Sequence, residues 1–557
     1  MWTQQAVPAT SSSESDALGN HSVAVDAAGN AYTTGMLKDT LTFGAFTLSG
    51  YGINMYLAKY DINGNAVWAT QSNSNGIWRQ AFAYGNSVAV NANEETYVSG
   101  WYYDSIKFGS ILLTCPVSNF FLTKYDPNGN LLWAKQPVCE GGSLGYGCDV
   151  VLDASGNAYA TGFFSGTVSF GSFTLKVGTH VNSAVFVAKY DPNGNVIWAT
   201  QSEISGRGYS LALDNSGNVY VTGIFQNNIS FGSVSLVSSG NSMFLVKYDI
   251  NGNVIWARQP SLAGSNSAVY SKSMAVDASG GIYVTGYFFD TVSFATNILS
   301  APQFAGGAFL TKYDTSGNVI WVDQGYNIYG NSIAWQGFSV VCNASKQGGG
   351  YLTLDANNYG GLVGPPVECG ITFGTKTFSL PTQGTNAGLI VEFDSAGNVI
   401  CGDINFEGNE DDGDGVGVDP SGSYIYISGD IFYTGIPGQL PNYYEEFFIS
   451  RWQPCFIPYY VSPYESTCVY VPNAFSPNGD HTNDIEYVYG GACITSMDFI
   501  IYDRWGNKIF ESKNPAYGWD GTYKGQAMNT GSFAYYLTAL LQDGTAVTKK
   551  GNITLVR

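Results

Sequence analysis

KYDPNGNVIWATQ, from Lys189 to Gln201, decides how the rest of this chain is read. Lys-Tyr-Asp leads into an Asn-Gly turn, and an apolar run closed by Trp-Ala-Thr-Gln follows. The aspartate accepts hydrogen bonds from the turn backbone, and glycine takes the positive φ that a short connection needs. Apolar alternation on both sides gives each flanking strand one face to bury. The stretch recurs as KYDINGNAVWATQ from Lys59, KYDPNGNLLWAKQ from Lys124, KYDINGNVIWARQ from Lys247 and KYDTSGNVIWVDQ from Lys312. A degenerate copy, EFDSAGNVICGD, starts at Glu392. The chain is a repeat protein.

Each repeat has four strand-like parts. In the third copy, Cys148 to Asp153 and Ala158 to Phe164 make a hairpin across DASGN, Val168 to Leu175 adds an excursion, and Val185 to Gln201 holds the quoted stretch. The first turn recurs at Asp26, Asn91, Asp153, Asp214, Asp277, Asp355 and Asp419. Its spacing stays between 61 and 65 residues except for one gap of 78, which predicts an insertion around Gln324 to Gly350. Seven four-stranded units, each burying its faces against its neighbours, predict a β-propeller, with a linear solenoid as the rival. The two ends of the chain favour the ring. The seventh copy, FFISRWQ from Phe447 to Gln453, stops before its last strand, while Met1-Trp2-Thr3-Gln4 resembles the missing WATQ. Trp2 would then complete the column Trp68, Trp133, Trp198, Trp256, Trp321 and Cys401 and close the ring.

The motifs DASGNAYATG from Asp153, DNSGNVYVTG from Asp214 and DASGGIYVTG from Asp277 resemble the SBBP-type β-propeller repeat of secreted bacterial proteins. That resemblance covers residues 1–453 and implies a fold without implying an activity. Residues 454–467, within the proline-containing QPCFIPYYVSPYEST, read as a linker. Residues 468–557 read as a separate small domain, in which period-two alternation and short turns predict about seven strands in an Ig-like β-sandwich. The whole is all-β: a seven-bladed β-propeller closed by its N-terminal strand, followed by the sandwich.

The second domain carries PNAFSPNGD, Asn483-Asp484, IYDRWG, WDGTYKG, GSFAYYL and a terminal KGNITLVR, in that order. Together these resemble the gliding-motility-associated C-terminal domain, the type B sorting domain of Bacteroidetes type IX secretion. On that resemblance the motif residues are Pro472, Asn473, Phe475, Pro477, Asn478, Gly479, Asp480, Asn483, Asp484, Arg504, Trp505, Gly506, Trp519, Asp520 and Gly521. His481 departs from the family's usual glycine. The resemblance implies export by the type IX machinery, an outer-membrane partner barrel of the PorP/SprF-like type, and a secreted or cell-surface destination. It also implies a leader that MWTQQAVPATSSS does not resemble.

Composition agrees with turn-rich antiparallel sheet: 15% aromatic residues, 12% charged residues and 69 glycines among 557. A formal charge of −20 opposes nucleic acid and anionic membranes as partners. No apolar run is long enough for a transmembrane helix. Counted from Val469 there are eight acids and seven bases, so the negative charge belongs to the repeats. Nine cysteines lack a CxxC pair, which disfavours zinc. Cys139 and Cys148 bracket a glycine-rich loop and are expected either to pair locally or to stay as buried thiols. Cys455, Cys468 and Cys493 cluster where the repeats end.

Little in the sequence points to catalysis. GGSLG at Gly141 to Gly145 has the nucleophile-elbow spacing but lies in a loop without a following helix, and His21, His180 and His481 are scattered. The Asp-x-Asn-Gly-Asn turns at Asp61, Asp126, Asp191 and Asp249 have too few oxygens each for calcium. Calcium is the one cofactor with a candidate site, at Glu407, Glu410, Asp411, Asp412 and Asp414, against the alternative of a solvated acidic loop. The Trp column is expected to pack between blades. Non-repeated aromatics, Trp78, Trp101, Tyr102, Tyr103 and Trp335, are the candidates for ligand contact. The expectation is an exported platform binding an unknown protein or glycan. The alternatives are a propeller polysaccharide lyase or hydrolase and a passive surface-layer spacer.

Overall fold

The computed structural model describes the chain except residues 1, 9–18, 75–80, 141–144, 179–182, 265, 302–305, 328–332, 343–348, 359–368, 375, 381–385, 409–410, 420, 423, 434–443, 453–468, 470, 473, 478–484, 486, 489–493, 516, 542–545 and 557. The described residues form strands and turns without a helix, and no sheet closes on itself. The chain separates into two compact units, Met1–Ile457 and Pro458–Arg557.

In the first unit, antiparallel meanders follow one another along the chain. One is made by Gly19–Val25, Ala31–Phe43, Phe46–Tyr60 and Ala66–Gln71, and the next by Phe82–Val90, Thr96–Phe108, Ile111–Tyr125 and Leu131–Lys135. Further meanders begin at Gly145, Gly206, Ala268 and Ile333 and end at Gln201, Arg258, Asn327 and Gly408. The last set, Asp411–Val418, Ile425–Tyr433 and Tyr444–Trp452, takes Trp2–Pro8 as its fourth strand: Trp2 to Ala6 pair antiparallel with Arg451 to Phe447.

The same turn closes most hairpins. In each meander the first strand and the turn after it, as at Asp153, are called inner, and the turn between the last two strands outer. In the outer turn at Asp191, Oδ1 accepts the N–H groups of Asn193 and Asn195 at 2.9 and 2.8 Å, and Oδ2 accepts Asn195 Nδ2 at 2.8 Å. Gly194 completes it with a φ of 79°. Equivalent bonds tie Asp61, Asp126, Asp249, Asp314 and Asp394, so these carboxylates serve the turn backbone and hold their pKa below the ordinary range.

The core lies between neighbouring meanders. Tyr159, Val187 and Trp198 of one pack with Leu211, Val219 and Phe244 of the next, and Val23, Leu37 and Tyr56 pack with Tyr426 and Ile449 from the far end of the unit. Each column tryptophan from Trp68 to Trp321 crosses the gap, donating its indole N–H to a turn carbonyl of the following meander: Trp68 to Pro127, Trp133 to Pro192, Trp198 to Ile250, Trp256 to Thr315 and Trp321 to Ser395, at 3.0 to 3.2 Å. Lys189, Lys247 and Lys312 lie over Tyr159, Tyr220 and Tyr283 and pair with Asp153, Asp214 and Asp277. The Trp column is packing, as its register implies.

Four expectations are corrected. Asp355 lies inside the strand Gly349–Asn358, opposite Gln336, and not in a turn. Ile333–Cys342 is that meander's first strand, so the extra length falls between Asn358 and Asn386, where Cys369–Phe373 and Lys376–Leu380 add to the preceding sheet. Cys139 pairs with Cys115 across 6.4 Å between Cα atoms, because Val138–Glu140 returns past the strand carrying Cys115; Cys148 is a free thiol on an inner strand. The acidic run is not a loop throughout: Glu407 belongs to Val399–Gly408, and Asp411–Val418 is an inner strand.

The second unit holds a five-stranded sheet in the order Ala474–Phe475, Ala546–Leu555, Gly531–Leu541, Ile494–Tyr502, Lys508–Ser512, and a ribbon of Thr522–Tyr523 with Gln526–Ala527. Val469, Val488 and Trp519 pack with Phe499, Leu537 and Ile553 in its core.

Candidate functional site

The inner strands come together around a cavity of about 170 Å³ lined by Ser22, Asn86, Ser87, Cys148, Asp149, Tyr209, Ser210, Lys272, Ser273, Ser339 and Gly415. Each inner strand bulges at this level, as between Gly85 and Ser87 or Gly208 and Ser210. A bulge re-aims the following side chain. Here it turns a hydroxyl toward the next meander, where it accepts a backbone N–H: Ser22 from Val88, Ser87 from Val150, Ser210 from Met274, Ser273 from Val340 and Ser339 from Val416, at 3.2 to 3.4 Å.

Asp149 occupies the serine position of its meander. Oδ1 accepts Ser87 Oγ at 2.7 Å and Val150 N at 2.8 Å, and Oδ2 accepts Ser210 Oγ at 3.0 Å and Leu211 N at 2.8 Å. Burial raises its pKa above the ordinary value, and these four donors oppose the rise. Beside it, burial and the Asp149 charge push the Cys148 thiol up to about 12, which keeps it protonated and unreactive.

Two residues before the cavity-lining positions, the inner strands carry aromatics. Tyr84 stacks on Trp101 at 4.6 Å, Trp101 meets Tyr146 edge-on at 4.8 Å, and Tyr146 stacks on Phe163 at 4.9 Å. Phe82 stacks on Tyr103 at 5.4 Å and meets Trp101 edge-on. The exposed Arg207 lies over Phe163 at 4.9 Å, and Tyr270 stacks on Tyr287 at 4.7 Å. These rings are half-buried, and Tyr84, Tyr146 and Tyr270 stand two residues along their strands from the cavity-lining Asn86, Cys148 and Lys272.

Of the aromatics singled out from sequence, Trp101 and Tyr103 belong to this row. Tyr102 points the other way, fully buried, as a donor to Gln136. Trp78 and the side chain of Trp335 lie outside the described residues, as do Gly141 to Leu144 of GGSLG, the side chain of Trp2, and the side chains of Glu407, Glu410, Asp411, Asp412 and Asp414. Asn473, Asn478, Gly479, Asp480, Asn483 and Asp484 of the second unit also lie outside them. Sequence reasoning missed the serine series and Asp149. The signal was present as a residue four places before each inner turn: Ser22, Ser87, Asp149, Ser210, Ser273, Ser339 and Gly415.

The second unit gathers its motif residues differently. Trp519 is buried between Phe475 and Phe533, with its N–H on the Thr522 carbonyl at 2.8 Å. Asp520 caps the following turn, and Gly521 faces Pro477 and Leu555. Arg504, Trp505 and Gly506 form an exposed turn.

Comparison with known proteins joins the two units. Residues 255–287 match the SBBP β-propeller repeat, and residues 469–555 match the CHU_C type IX secretion signal domain. The chain therefore links propeller repeats to a type IX secretion signal domain. An uncharacterised WD repeat-containing protein of Acanthamoeba polyphaga mimivirus is 22% identical over 445 residues, spanning 66% of this chain and 30% of that protein. Among solved structures, an ulvan lyase of a polysaccharide lyase family has a TM-score of 0.35 at 8% identity, over 70% of this chain and 94% of its own. The Synechocystis apocarotenoid oxygenase has a TM-score of 0.34 at 10% identity, over 66% of this chain and 71% of its own. Among the described residues no helix is long and apolar enough to cross a membrane.

Proposed function

We propose that the chain is exported by type IX secretion to the cell surface or medium, and that its first unit is a closed seven-bladed propeller serving as a binding platform. Pairing of Trp2 to Ala6 with Phe447 to Arg451 supports the closure. The signal domain at residues 469–555 supports the export route, with an outer-membrane barrel as the attachment partner.

The observation that carries the binding role is the aromatic row beside the cavity-lining stretch of the inner strands. Repeat packing needs the Trp column, but it does not need Trp101 edge-on to Tyr146, Tyr146 stacked on Phe163 and an exposed arginine over Phe163. Aromatic and arginine side chains converging at a rim are the composition of recognition surfaces. The ligand class is a surface protein or glycan. Catalysis is not part of this reading: Asp149 is the one carboxylate among the described cavity-lining residues, and all four of its contacts are taken.

A glycan array and a pull-down from the producing cell's surface test this, each run with the wild-type chain and with Trp101→Ala and Arg207→Ala. Binding that drops about tenfold or more in both variants, with unchanged melting, supports the reading. Blank results from the wild-type chain in both assays remove it.

A further inference from the structure

The second unit presents one feature that neither its core nor its turns require. Trp505 is 75% exposed, although Trp519 in the same unit is 1% exposed. Trp505 stands at the third place of the turn Asp503–Asn507. There Asp503 Oδ1 accepts the N–H groups of Trp505 and Asn507, both at 2.9 Å, Asp503 Oδ2 accepts Asn507 Nδ2 at 2.9 Å, and Gly506 has a φ of 83°. The first unit builds the same turn with Asn63, Asn128, Asn193, Asn251, Ser316 or Ala396 at that place. The turn therefore asks only for a backbone N–H, and a tryptophan there answers no local need.

Nor does the neighbourhood shelter the ring. The space beside Gly506 is empty to 4 Å, and the turn ends the hairpin whose second strand, Lys508–Ser512, is the border of the sheet. Arg504 lies over the indole at 5.0 Å. Two backbone bonds, Asp503 N–H to the Asn507 carbonyl and Gly506 N–H to the Asp503 carbonyl, both at 3.0 Å, complete the turn. A large aromatic and an arginine, held by these five bonds and left exposed, are the residue types that dominate binding energy at protein interfaces.

We propose that Arg504 and Trp505 are the contact by which a protein of the export apparatus holds the folded signal domain, the indole entering an apolar pocket and the guanidinium meeting a carboxylate on its rim. The inference rests on the export reading above and adds which side chains are read. Trp519, Asp520 and Gly521 keep the domain folded; the Asp503 turn displays the signal.

The test uses the full chain in a type IX-competent host that exports it, scoring cell-surface and medium protein against periplasmic protein. Trp505→Ala and Arg504→Glu should accumulate in the periplasm with at least about a tenfold loss of exported protein, and with the wild-type melting temperature. Tyr517→Ala, which removes another aromatic that is 70% exposed in the same unit, should be exported normally. Normal export of Trp505→Ala overturns the assignment while leaving the export reading intact, and so does equal retention of Tyr517→Ala. Normal export after deletion of residues 469–557 overturns both.

Discussion

At the scale of single residues, the repeats are informative where they break. Asp323 stands where the corresponding strands carry Thr70, Lys135, Thr200 and Arg258. It is half-buried beside Leu310, and burial raises its pKa to about 6. The sign follows from linkage. An acid whose folded pKa exceeds its unfolded value near 4 stabilises the fold only while protonated, and that contribution is lost as pH rises from about 4 through 6. Asp323→Thr should therefore melt with the wild type at pH 4 and about 2–4 °C above it at pH 7.5; equal melting at both pH values contradicts the burial. Asp149 breaks its column differently, because its four donors give the charge a use. That column also shows what sequence reading lost. In sequence, alignment on the serine four places before the turn pairs Ser339 with Asn343 and not with Asp355. Asp355 attracted attention because Asp-Ala-Asn-Asn imitates a turn from within a strand. Cys115 with Cys139 was hidden for a related reason: proximity along the chain favoured Cys148, whereas the returning strand brings Cys139 to Cys115.

At the scale of the element, the quoted stretch does three things at once. Its aspartate builds the turn, its lysine pairs with the inner-turn acid, and its tryptophan docks on the next turn. Most of this was legible, since a Trp at fixed register in every copy has to face something that also repeats. What it faces was not, because the recipient is glycine. A Cβ at Gly252 would lie 2.9 Å from Trp198 Cε3, and Gly129, Gly317 and Gly397 are placed alike against Trp68, Trp256 and Trp321. These glycines serve positive φ and close approach together. Gly156, with a φ of 77° in an inner turn, has no atom nearer than 3.7 Å to such a Cβ. Gly156→Ala should therefore cost only the backbone term, about 1 kcal/mol, whereas Gly252→Ala adds displacement of Trp198 and should cost about 2–4 kcal/mol. Denaturant unfolding of the first unit distinguishes the two; equal losses argue that the indole is not held by that turn.

At the scale of the whole molecule, the first unit has a seam. Between other neighbours the chain itself connects one meander to the next, but the last and first are joined by Trp2–Pro8, which pairs with Phe447 to Arg451 on one side and contributes Val7 and Pro8 to Thr42 and Leu41 on the other. The expectation of closure rested on the seventh copy lacking its last strand, and the pairing of Trp2 to Ala6 with Arg451 to Phe447 supports the proposal built on it. If the proposed ring depends on the strand, removing residues 2–8 leaves the edge at Tyr444–Trp452 unpaired and uncovers apolar surface between the last and first meanders. The first unit should then melt well below the wild type, by at least about 5 °C, while the second unit, which lacks that strand, keeps its own transition. Undiminished melting of the first unit refutes closure. Loss alone would not prove it, since any deleted strand removes contacts. A circular order settles the matter: placing WTQQAVP after Trp452 through a short glycine linker supplies the same strand from the other end, and closure requires that this chain recover the wild-type melting temperature.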